Sequence, residues 1–149
     1  MVTGSGRVQT GLGGPEGLGE VALPRSDDAA QRQDWSAVFG QGLNFFGRRW
    51  SASDVFVNTN GTLSFGAALP AYPGAALPAA GLPDLIAPFW ADVDTRLRGE
   101  GRESGAIHVD IDPVADRVSV TWDDVGAYRR DTDTVNLSLI HISEPTRPY

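Results

Sequence analysis

The chain contains no cysteine, and all 12 of its basic residues are arginine, so lysine is absent too. Without thiols there is no disulfide and no zinc–thiolate centre. The arginines face 19 acidic residues, leaving a net charge of −7. That balance opposes nucleic acid, whose phosphates call for basic patches, and it opposes anionic membrane surfaces. No apolar run approaches the roughly 20 residues that cross a bilayer, so membrane insertion is not expected. The first residues lack the apolar core of a signal peptide, which argues against simple export from this start. Histidine is scarce: only His108 and His141 occur. A serine–histidine–aspartate triad needs a positioned histidine. Here His108 reads as a surface residue on the polar side of a strand. Neither a Gly-x-Ser-x-Gly turn nor a phosphate loop is present, and no carboxylate pair stands out as that of a glycosidase. An enzyme is not expected.

With 149 residues the chain is one domain's worth. Glycine is concentrated at the start, and residues 1–20 read as a flexible linker without apolar periodicity. Leu23-Pro24-Arg25-Ser26-Asp27-Asp28 then leads into a domain expected over 21–136. Val55–Val57 and Thr62–Phe65 flank Asn60-Gly61, which predicts a hairpin with a type I′ turn. Asn60-Gly61-Thr62 also matches a glycosylation sequon, but turn chemistry explains it sufficiently. Residues 66–83 carry Pro70, Pro73, Pro78 and Pro83, so they read as a long Pro/Gly/Ala-rich loop. Leu85–Ala91 reads as a central strand made irregular by Pro88. Ile107, Val109 and Ile111 alternate with His108, Asp110 and Asp112. Val118, Val120 and Trp122 alternate likewise, which predicts a second hairpin. Trp90 and Trp122 read as core anchors. Helical periodicity is weak and confined to Ser26–Ser36. The fold class expected is all-β, an antiparallel two-layer β-sandwich-like domain.

Leu85–Ala91 runs directly into Asp92-Val93-Asp94-Thr95-Arg96. Asp92 and Asp94 are two apart and point to one face of a strand. Two acids there can serve as calcium ligands, or they can accept backbone N–H groups and pair with Arg96. The structural role is the preferred reading. Calcium needs six to eight oxygens and no EF-hand spacing is present. Asp110, Asp112, Asp123 and Asp124 can add carboxylates, though an exposed acidic face is the preferred reading for them.

Four segments, in order, resemble the nidogen-type extracellular domain. They are Leu43-Asn44-Phe45-Phe46-Gly47, Val55–Phe65, Leu85–Arg96 and Val120–Tyr128. The resemblance implies an extracellular, largely β module of cell–matrix adhesion type within a larger secreted or cell-surface protein. It implies a matrix or cell-surface protein or glycan as partner, and it carries over no catalytic residues or cofactors. Bacterial versions, which the segment Leu23–Asp28 resembles, accompany calcium-binding repeats. The alternative is a structural accessory domain of a secreted calcium-binding or hydrolytic protein. From Leu137 to Arg147 the chain resembles a translated sequencing adapter. A non-native tail is therefore expected over 137–149, and with it a truncated fragment.

Overall fold

The computed structural model describes residues 9–128 apart from 75, 78, 100 and 102, together with 131–143. In that last stretch it describes the backbone and the Ile142 side chain. Residues 1–8 of the expected linker and 144–149 of the expected tail lie outside the described residues.

The architecture is all-β. In chain order the strands are β1 (Val21–Ala22), β2 (Ala30–Gln33), β3 (Leu43–Phe45), β4 (Arg48–Trp50), β5 (Val55–Asn58), β6 (Thr62–Phe65), β7 (Asp84–Ile86), β8 (Val93–Asp94), β9 (Ala106–Asp112), β10 (Arg117–Ala127) and β11 (Asp131–Ser143). One sheet runs β1-β9-β10-β11, and β8 replaces β9 against Gly126 and Ala127 of β10. The other runs β2-β5-β6-β7, and β3 and β4 form a separate hairpin. Every pairing is antiparallel.

Period-two patterning explains the two layers. Val55, Val57, Leu63 and Phe65 of one sheet share a single buried core with Ile107, Val109, Val118, Val120 and Trp122 of the other. Trp35 and Phe39, in the turn after β2, complete it. The indole N–H of Trp122 donates to the Asn58 carbonyl at 3.3 Å, tying the sheets together. The β9–β10 hairpin has the expected inward residues, with Val120 opposite Val109.

Several expectations are corrected. The loop of the β5–β6 hairpin has three residues, Thr59 to Gly61, and among them only Gly61 has positive φ, at 85°. Gly61 N–H bonds to Asn58 O at 3.1 Å. This is a three-residue loop closed by a left-handed glycine rather than a type I′ turn. A Cβ on Gly61 would also run into the Phe89 ring. The segment Leu85–Ala91 is not a central strand: β7 ends at Ile86 and is the sheet's edge, because Pro88 cannot continue a ladder. Trp90 is only half-buried, its indole donating to Ala71 O at 3.1 Å, so it fastens the proline-rich loop rather than the core. The Ser26–Ser36 window contains β2 and no helix.

Both polar sheet faces are covered. Leu69, from the proline-rich loop, is buried, and its N–H donates to Asn58 Oδ1 at 3.0 Å. Residues 9–20, read as linker, place Leu12 and Leu18 in buried positions, and a Cβ on Gly19 would meet the Val109 backbone at 2.6 Å. His108 and Asp110 are therefore buried, not surface residues of an exposed acidic face. The stretch read as non-native from 137 pairs along β10, with Leu139 opposite Thr121 and Ser143 opposite Arg117.

Candidate functional site

The junction after β7 is organised by the segment leading into the domain. Ser26 N–H donates to Thr95 Oγ1 at 2.7 Å, and Thr95 N–H donates back to Ser26 O at 2.8 Å. The Arg25 guanidinium donates to the carbonyls of Thr95, Ser104 and Gly105 at 2.7–2.9 Å. These contacts place Asp27 and Asp28 beside Asp92 and Asp94.

Asp94 is completely buried. Arg96 Nε and NH2 reach its two oxygens at 2.8 and 2.7 Å, and the Arg96 backbone N–H adds a third bond at 2.9 Å. A buried carboxylate needs this kind of forked, charge-assisted pairing. The same NH2 reaches Asp27 Oδ2 at 2.7 Å. The hydrogen bond to Asp94 is the main reason that Arg96 holds its proton more tightly than an ordinary arginine.

Asp92 turns elsewhere. It groups with Asp27 and Asp28, one oxygen from each of the three lying within 4.8 Å of the others. Burial pushes the Asp92 carboxyl above its ordinary 3.8, and the charges of Asp28 and Asp94 push it further. Burial and the charge of Asp94 raise Asp27 as well, against the opposing pull of Arg96. Among the described residues, neither Asp27 Oδ1 nor Asp92 Oδ1 has a hydrogen-bond partner. The two acids singled out in the sequence thus have different surroundings, one neutralised by arginine and the other in a small acidic cluster. The contribution of Asp27 and Asp28 was not anticipated, because their separation of 65 and 64 residues from Asp92 in the chain leaves no local spacing to read.

A second feature lies at the β7 edge. A groove of about 430 Å³ is lined by Phe45, Phe46, Leu77, Leu82, Pro83 and Leu85, among others. Phe46 sits at the tip of the β3–β4 hairpin with its side chain 87% exposed and φ at 46°. Positive φ is strained for an aromatic residue. Phe45 packs edge-on against it with centroids 4.6 Å apart. Arg48, beside this tip, stacks 4.2 Å from the Trp50 ring and lies 3.9 Å from Asp84. The aromatic segment Leu43–Gly47 forms β3 and the turn into β4, and the exposure of Phe46 was not legible in the sequence.

The fold defines an all-β sandwich module with an acidic junction and an apolar edge groove. Residues 53–110 match the family model described as a nidogen-like domain. The match runs from the start of the β5–β6 hairpin through the junction into β9. No curated protein and no solved structure matches the chain.

Proposed function

We propose that the protein is an extracellular, non-catalytic interaction module that docks a protein partner of matrix or cell-surface type through the groove beside Phe46. The nidogen-like match supports the extracellular class. The observation that carries the docking surface is a large aromatic held almost fully exposed, in a strained backbone conformation, against an apolar groove. Exposed anchors flanked by pockets are the usual centres of protein interfaces. The lining is apolar apart from Asp84, which favours a protein over a glycan. The neighbouring Arg48 and Arg49 are exposed cations in a chain of net charge −7, and they favour a partner with acidic groups around its apolar segment.

For Asp94 we propose a structural role, since its pair with Arg96, which also reaches Asp27, holds the 92–96 junction to the entry segment. Asp92, we propose, only adds charge to the cluster with Asp27 and Asp28 and binds no calcium. Melting curves with calcium chloride and with buffer alone should superimpose, and a calcium-dependent rise in Tm overturns that reading.

The docking test immobilises the full chain and measures binding of a panel of purified matrix proteins, matrix glycans and cell-surface ectodomains. A protein in the panel should bind, and Phe46→Ser should lose at least tenfold in affinity with Tm preserved. Binding that Phe46→Ser leaves unchanged, or glycan binding alone, sinks the proposal.

A further inference from the structure

On the opposite sheet, Glu16, His108 and Asp123 converge beneath the N-terminal segment. One ligating atom from each lies within 4.8 Å of the other two. His108 is 4% exposed, and among the described residues its buried Nε2 has no hydrogen-bond partner. Glu16 Oε2 is 3.2 Å from that nitrogen, at ion-pair distance but outside hydrogen-bond geometry. A buried imidazole nitrogen that lies beside a carboxylate without a hydrogen bond to it is costly, because a desolvated polar atom ordinarily finds a partner.

From this arrangement we infer that Glu16, His108 and Asp123 bind a divalent transition ion of the zinc class. Zinc takes imidazole nitrogen and carboxylate oxygen at about 2.0–2.2 Å, which puts neighbouring ligand atoms roughly 3.4 Å apart on a tetrahedron. The Glu16–His108 separation fits such an edge. Asp123 lies within 4.8 Å of both, and the Glu16 side chain, which is 64% exposed, is free to close on the ion. A nitrogen ligand selects against calcium and magnesium, which favour all-oxygen shells. Three protein ligands leave a fourth position for water, reached from the solvent side of Glu16. Glu16 belongs to the covering segment, whereas His108 and Asp123 lie on β9 and β10. The ion therefore fastens that segment to the sheet. Glu16 and Asp123 lie outside the span of the nidogen-like match, so the ligand set is not part of the matched region.

The test uses the full chain, freed of metal and titrated with zinc by calorimetry, with cobalt as a spectroscopic substitute. One equivalent of zinc should bind and raise Tm, and cobalt should give the intense visible absorption of a tetrahedral site. Losing even an outer-shell partner of a metal ligand costs about 10–100-fold in affinity, so Glu16→Gln and His108→Gln should each cost at least that much. Glu16 is exposed, so Glu16→Gln is read on a folded protein even if His108→Gln fails to fold. His141→Ala separates this site from the chain's other histidine and should bind zinc normally. The inference is overturned if the wild-type chain takes up no zinc, if Glu16→Gln binds like wild type, or if His141→Ala abolishes binding.

Discussion

Asn60 shows how much one turn residue can hold together. Its Nδ2 donates to Asp28 Oδ1 at 2.7 Å and to Pro70 O at 2.9 Å, while its Oδ1 accepts the Val93 N–H at 2.7 Å. Its carbonyl accepts Ala91 N–H at 3.2 Å. A single amide thus joins the hairpin, the proline-rich loop and the acidic junction. Asn60→Ala removes three bonds and strands the buried Val93 N–H, which should cost about 3 kcal/mol in urea unfolding. A loss under about 1 kcal/mol would show that water replaces the amide. The Asn60 side chain has no exposed surface, so its sequon is closed to a glycan in the folded state. Asp92 makes a prediction of opposite sign. Its carboxyl is raised above 3.8, so the folded state prefers the protonated acid. That preference stabilises fully below 3.8 and is lost as pH rises through the raised value. At neutral pH, Asp92→Asn should therefore melt above wild type, and the gap should close as pH falls toward 3.8. A gap that persists or widens in acid refutes this account.

At the scale of elements, the legible parts were those written in alternation. The β5–β6 and β9–β10 hairpins follow from runs of two-residue period, and their inward residues are the core. Coverage of the other faces was not legible. His108, Asp110, Ser119 and Thr121 occupy the polar phase of β9 and β10, which ordinarily faces water, yet all four are buried. Composition misled at the N-terminal side, because the glycine-rich stretch reads as linker although residues 9–20 pack on the sheet, whereas the proline-rich stretch is the loop it reads as. Only the folded structure reveals that Leu12, Leu18 and Leu69 of these stretches are buried. The junction was half legible. The Asp94–Arg96 pair is local, while the Asp27 and Asp28 contribution depends on chain crossing. Leu18→Ala tests the N-terminal cover. Removing a buried leucine side chain should cost about 2–4 kcal/mol and should expose the amides of β9 to hydrogen exchange. A loose tether would lose almost nothing.

For the molecule as a whole, the sandwich supplies stability and the hairpin tip spends some of it. Phe46 pairs a left-handed backbone, which costs the fold, with a large exposed ring whose contact in the fold is the edge-on one with Phe45. Asn adopts that conformation more readily than a bulky residue does. Phe46→Asn should therefore raise stability by about 0.5–1 kcal/mol in chemical unfolding. The same change removes the aromatic anchor beside the groove, so partner binding should fall as stability rises. Opposite movement of the two quantities is the signature of a residue kept for binding at a structural cost. If Phe46→Asn instead destabilises the chain, the ring holds the hairpin against Phe45, and its exposure is incidental to recognition.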